Sequence, residues 1–184
     1  MPKQFSDLGI QESIIKALYD LKIVVPTEIQ QKTIPLLLSN TTDIVGLAKT
    51  GTGKTAAFGL PLLQLIDTEK PVIQAVILVP TRELGHQIHS NLVAFAKYLP
   101  EVSIAETCGG IPIKPQIERL TLLTHIIVAT PGRLIDLIQR NAINLKETKF
   151  LVLDEADEML DLGFLPDVER LFAYTPDGRQ TMLF

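Results

Sequence analysis

Ile44-Val45-Gly46-Leu47-Ala48-Lys49-Thr50-Gly51-Thr52-Gly53-Lys54-Thr55 decides how this chain is read. A short apolar run gives way to a loop with two glycines, and the loop runs into a segment that reads as helix. Glycine lets successive backbone N–H groups turn inward, and the following helix N-terminus adds partial positive charge. Lys54 then reaches the β- and γ-phosphates of a nucleotide, while Thr55 offers a hydroxyl to Mg²⁺. The segment from Ala48 to Thr55 is therefore read as a phosphate-binding loop, although the strict pattern wants glycine where Ala48 stands. Gly51, Gly53 and Ala56 also satisfy the dinucleotide fingerprint. That fingerprint requires an acidic residue at the end of the next strand, and here the next strand ends in Val79-Pro80-Thr81, so it is rejected.

Outward from this loop the pattern repeats. Apolar runs of strand length at 44–47, 72–79, 102–107, 126–129 and 150–153 each precede a segment that reads as helix. Before them, Ile14, Ile15, Leu18 and Leu21 recur at helical spacing, giving a helix over 11–21, and Pro26-Thr27 opens a second that ends near Leu38. A βαβα order predicts an α/β fold with a mostly parallel central sheet covered by helices on both faces. In such sheets ligands bind beyond the carboxyl ends of the strands. The segments found there are the phosphate loop, Pro80-Thr81-Arg82-Glu83-Leu84, Gly109-Gly110, Thr130-Pro131-Gly132-Arg133 and Asp154-Glu155-Ala156-Asp157. All five are expected along one edge.

Composition narrows the class. The chain has 184 residues, 17 Lys+Arg against 21 Asp+Glu, 46% hydrophobic residues and one cysteine. That excludes a disordered chain and allows one domain with a sizeable core. The acidic balance, with no two basic residues adjacent, argues against holding nucleic acid by bulk charge, so any polyanion must be bound locally. No apolar run approaches the ~18 residues of a spanning helix, and the first residues lack the apolar core of a secretory signal. A cytoplasmic protein without a membrane partner is expected. Cys108 has no partner for a disulfide and reads as a small buried hydrophobe. His86, His89 and His125 form no ligand spacing with it, so no zinc site is proposed.

Asp154-Glu155 directly after an apolar strand supplies the two remaining needs of in-line phosphoryl transfer. Asp154 would hold Mg²⁺ through water, and Glu155 would orient and deprotonate the attacking water. An acidic first helical turn would give the same residues without any chemistry; the phosphate loop favours the functional reading. Taken together these motifs resemble the first RecA-like domain of the DEAD-box RNA helicases, a family named for the residues found here at 154–157. The resemblance covers essentially the whole chain. It includes Phe5, Pro26-Thr27-x-x-Gln30 (the family's Q motif), the phosphate loop and the three segments at 80–84, 109–110 and 130–133, all in family order.

The resemblance implies a Q-motif helical region over 1–40 and a RecA-like P-loop NTPase domain over 41–184. That domain ends before the family's Ser-Ala-Thr motif, and a second RecA-like domain is missing. It implies ATP or ADP and Mg²⁺ as ligands, with RNA and the second domain as partners; nothing in the sequence calls for more than a monomer. Gln30 would read the adenine edge, with Phe5, Ile23 and Thr27 beside it. The residues alone favour a capping box between Thr27 and Gln30; the resemblance reverses that preference, and the two roles do not exclude each other. RNA would lie against Pro80, Thr81, Arg82, Gly110, Thr130, Gly132 and Arg133, with Asp157 coupling the two sites. Thr81 and Thr130 are also simple N-cap residues, and Arg82 and Arg133 equally suit internal ion pairs. The function implied is an ATP-dependent RNA helicase whose isolated first domain binds nucleotide but hydrolyses it slowly; the alternatives are a non-catalytic nucleotide-gated RNA-binding module or another P-loop NTPase. Two departures stand out. Lys22-Ile23 replaces the family's usual Gly-Phe, and Gly85 replaces an alanine, which predicts a looser helix junction at a cost of about 1 kcal/mol.

Overall fold

The computed structural model describes residues 3–39, 42–49, 51–120 and 123–184. Its centre is a sheet of six strands: β1 (Ile44–Val45), β2 (Ala75–Leu78), β3 (Ile104–Thr107), β4 (Ile126–Ala129), β5 (Phe150–Leu153) and β6 (Gln180–Leu183). They lie in the order β1-β6-β5-β2-β4-β3, and every pairing is parallel. The expectation of a mostly parallel sheet is thus met in full. β4 and β5 run over the expected residues, whereas β1, β2 and β3 are shorter than their apolar runs.

Alternation along the strands divides the core into two layers. Ala75, Ile77, Ile126, Val128, Val152 and Met182 face one side. There they meet a 3-10 turn at Ser6–Leu8 and the helices α1 (Glu12–Asp20), α2 (Glu28–Ser39), α3 (Lys54–Leu65) and α4 (Arg82–Phe95). Val76, Leu78, Ile127, Ala129, Leu151 and Leu153 face the other. That side is covered by α5 (Ile113–Leu120), α6 (Pro131–Gln139), α7 (Ala156–Asp161) and α8 (Leu165–Tyr174). Both faces of β2, β4 and most of β5 are therefore buried, which explains why these strands are continuously apolar. Phe5 belongs to the first layer at 3% exposure. Among the described residues no helix is long and apolar enough to cross a membrane.

β6 is the strand that apolar periodicity does not disclose. Gln180-Thr181-Met182-Leu183 is half polar, and the structure puts both polar side chains or their backbone to use. Gln180 Nε2 donates to the Thr42 carbonyl at 2.7 Å, and the Thr181 N–H donates to Asp43 Oδ1 at 2.7 Å. This tie brings β6 between β1 and β5, with the Gly46 N–H donating to the Leu183 carbonyl at 2.7 Å.

Gly85 corrects the expectation of a loose junction. A Cβ built there would lie 2.5 Å from Cys108 Sγ and 3.2 Å from Val79 Cγ2. The glycine permits α4 to press against the sheet where the buried Cys108 thiol stands, so the junction is tight. Burial pushes that thiol up to about 11, which leaves Cys108 an inert packing group.

Candidate functional site

Parallel pairing sets the carboxyl ends of the strands at one rim. Leu78 is level with Ala129 and Leu153, Ala129 with Thr107, and Leu153 with Leu183. The segments that follow β1 through β5 consequently emerge on the same side, as the βα order requires.

On one part of this rim lies a cleft of about 510 Å³. Ile23, Thr27, Gln30, Gly51, Thr52, Gly53, Lys54, Thr55, Asp154 and Glu155 all line it. Ala48 and Lys49 line an adjoining depression that shares Thr27 and Thr52, and Thr50 lies outside the described residues. Phe5 lies in the core and is not among the residues lining the cleft. The far wall was not read from the sequence. It is a stripe of α4 that includes Leu84, Gln87, Asn91, Ala94 and Phe95. The signal for it was present, since the three- and four-residue steps place these side chains on one helical face.

Lys54 opens α3 at 8% exposure, and its Nζ donates to Glu155 Oε1 at 2.8 Å. Two residues a hundred positions apart are thereby joined across the cleft. Glu155 sits at φ +53°, a left-handed conformation uncommon for a side chain of its size, which turns the chain between β5 and α7. Asp154 is 2% exposed, and among the described residues its Oδ1 has no hydrogen-bond partner. Burial pushes its carboxyl up to about 6; the Lys54 ammonium works against that rise and the Glu155 carboxylate adds to it. A buried carboxylate oxygen without a partner is costly unless charge arrives to meet it. Together with the Thr55 hydroxyl, it suits a hard divalent cation with oxygen ligands.

Gln30 takes the capping role that the residues alone allowed, and it makes a second contact that the sequence did not disclose. Its Oε1 accepts from the Thr27 N–H at 3.0 Å, which is half of a capping box, and its Nε2 donates to the Gly53 carbonyl at 3.0 Å. Gly53 stands at φ +91°, and a Cβ there would collide with the Gln30 amide. The loop and the Q-motif helix are thus locked by a contact that only glycine allows.

The remaining rim carries the other motif residues. Thr81 caps α4, accepting from the Leu84 N–H at 3.3 Å, and Arg82 beside it is exposed, while Pro80 is buried. Thr130 occupies the N-cap position of α6, but its hydroxyl accepts from the Gly109 N–H at 3.1 Å instead of capping its own helix. Arg133 Nη2 donates to the Ile111 carbonyl at 2.8 Å. Neither Arg82 nor Arg133 has an ion pair among the described residues, so the internal salt bridges that their sequence neighbours allowed are not what the structure contains. Gly110 and Gly132 are exposed, as is Asp157, whose Oδ1 accepts from the Glu158 N–H at 3.0 Å. His86 and His89 face Glu106 at 3.1 and 3.9 Å on the outer side of α4, and His125 is buried, its Nδ1 accepting from the Ser103 N–H at 3.0 Å.

The family model described as DEAD/DEAH box helicase matches residues 27–184. The ATP-dependent RNA helicase CshA of Limosilactobacillus reuteri is 48% identical over 98% of this chain and 36% of its own length. The ATP-dependent RNA helicase DeaD of Escherichia coli K12 is 46% identical over 98% of this chain and 28% of its own. The chain therefore spans about a third of the length of these relatives. A crystal structure of a DEAD box protein from the hyperthermophile Methanococcus jannaschii superimposes with a TM-score of 0.93 at 41% identity, covering 98% of this chain and 49% of that one. The segment that the family model matches contains Gln30, the phosphate loop, Asp154, Glu155, the rim loops and all six strands, and the chain belongs to the DEAD/DEAH box helicase family.

Proposed function

We propose that this chain is the ATP-binding, RNA-contacting RecA-like part of an ATP-dependent RNA helicase. ATP hydrolysis would be coupled to local opening of RNA duplexes or remodelling of RNA–protein assemblies, and a second RecA-like domain of the same protein would complete both sites. Residues 1–40 serve as the Q-motif region and 41–184 as the nucleotide-binding body. A cytoplasmic setting belongs to the same reading, supported by the lone free thiol of Cys108. The relatives' names motivate the substrate. The observation that carries the chemistry is the Lys54–Glu155 pair at 2.8 Å beside the unpartnered Asp154 oxygen.

Lys54 sits where the phosphate loop directs an ammonium to the β- and γ-phosphates, and binding nucleotide would draw it from Glu155. That exchange releases the Glu155 carboxylate to orient a water and accept its proton. Asp154 and Thr55 would hold Mg²⁺, whose chemistry is to neutralise charge developing on the phosphate oxygens. Gln30 spends one N–H and one lone pair on Gly53 and Thr27, keeping one of each for the donor–acceptor edge of adenine. Ile23 covers the base by dispersion and offers no aromatic face. On the rim, the first-turn N–H groups of α4 and α6, with Arg82, Arg133 and Gly110, suit a sugar–phosphate backbone, a mode of contact that reads little sequence.

Calorimetric titration of the chain with ADP and with GDP, each with Mg²⁺, tests this reading. Tighter binding of ADP is expected. Equal affinities would reduce Gln30 to its structural role, and binding of neither nucleotide would overturn the proposal.

A further inference from the structure

The Gly109–Gly110 turn is held by side chains from two different helices and a cap. Thr130 Oγ1 accepts from the Gly109 N–H at 3.1 Å, Arg133 Nη2 donates to the Ile111 carbonyl at 2.8 Å, and Gln116 Nε2, from α5, donates to the Cys108 carbonyl at 3.0 Å. The turn needs such ties, because Gly110 stands at φ +81° and glycine has the widest backbone freedom of any residue. β3, which leads into it, is an edge strand that among the described residues pairs with β4 alone, so no described strand supplies partners on its outer side. Gln116 fills that place. It is 3% exposed, too deep to reach a bound nucleic acid, and neither the sequence motifs nor the nucleotide cleft account for a buried amide there.

We infer that Gln116 is a positioning residue for RNA: it fixes the Gly109–Gly110 turn from behind and sets the spacing between this turn and the α6 N-terminus, without touching the strand it serves. The inference rests on the RNA reading of the rim given above. Thr130 and Arg133 join the turn to α6 on one side, and Gln116 joins it to α5 on the other. Removing the Gln116 amide therefore frees one end of the turn while the α6 end stays tied. Among the described residues Gln116 Oε1 has no partner, and Gln116 lines a cavity of about 250 Å³ with Thr107, whose hydroxyl is likewise unpartnered among them. Leucine at 116 removes that unpartnered oxygen together with the bond to Cys108. The two changes oppose each other in stability, whereas only the lost bond bears on the turn. Stability and RNA affinity are thus separable at this position.

The test is amide NMR of the chain with Mg²⁺-ADP, titrated with single-stranded decauridylate, for the unaltered protein and for Gln116→Leu and Gln116→Met. Shifts at Gly109 and Gly110 on adding RNA are expected in the unaltered chain. Both variants should weaken RNA about three- to tenfold, the worth of one net hydrogen bond, with the two glycine signals displaced before RNA is added and ADP affinity unchanged. RNA affinity equal to that of the unaltered chain in both variants would overturn the inference. A parallel loss of ADP affinity would also overturn it, by showing a general loosening. If the unaltered chain shows no response at Gly109 and Gly110, the RNA reading of the rim itself fails, and the inference with it.

Discussion

Asp154 meets opposing demands. Its carboxyl is pushed from 3.8 to about 6 chiefly by burial, so between those values the folded protein holds a proton that the unfolded chain releases. Whatever stability the protonated form lends is complete below 3.8 and is lost as pH rises through about 6. At neutral pH the charged side chain costs the fold on the order of 2–3 kcal/mol. Asp154→Asn should accordingly raise the thermal midpoint clearly at pH 8 and much less at pH 5, while abolishing Mg²⁺-dependent tightening of ADP. Equal stabilisation at both pH values would show that burial of charge is not the cause. Glu155 answers to a different test. Glu155→Gln removes the carboxylate that holds Lys54, so ADP should bind the variant as tightly as before or tighter, while ATP hydrolysis is lost in the protein carrying both RecA-like domains. Weaker ADP binding would mean that the ion pair holds the loop open for nucleotide instead of competing with it.

Among the elements, α4 shows how far sequence patterns reach. Its start was legible because Thr81 is a capping residue followed by good helix formers, and the structure places the Thr81 cap bond there. Its packing was not legible. Helix propensity makes Gly85 a defect worth about 1 kcal/mol, yet propensity describes an isolated helix and takes no account of the Cys108 sulfur standing 2.5 Å from a Cβ at that position. Gly85→Ala should therefore destabilise, by about 1–3 kcal/mol as overpacking does, where an exposed site would gain from the same change. Cys108→Ala in the same chain should recover part of the loss, since it removes the nearer of the two clashing atoms and leaves Val79. A double-mutant cycle by denaturant unfolding measures the coupling; additive effects would show that α4 shifts to accept the methyl. β6 was hidden for a related reason. Its half-polar sequence has no apolar alternation, and what brings it into the sheet is the pair of bonds to Thr42 and Asp43, 138 residues earlier.

At the scale of the whole molecule, the edge that gathers the motifs followed from the βα order alone, because parallel strands have their carboxyl ends on one side. The parts that did not follow are contacts between distant segments, such as Gln30 on Gly53 and Thr130 on Gly109, for which composition and periodicity carry no signal. The assembled cleft also shows what this body lacks. Lysine meets glutamate across it, but among the described residues lining it there is no arginine. In related phosphoryl-transfer systems an arginine directed at the transferring group is worth about 10³–10⁵ in rate. This chain by itself should bind Mg²⁺-ADP yet turn over ATP slower by a factor of that order than the protein containing the second RecA-like domain, and single-stranded RNA should stimulate only the latter. Steady-state phosphate release from both, with and without RNA, measures this directly. Equal turnover would mean that the chemistry is complete within the Lys54–Glu155 cleft, and the second domain would then serve RNA alone.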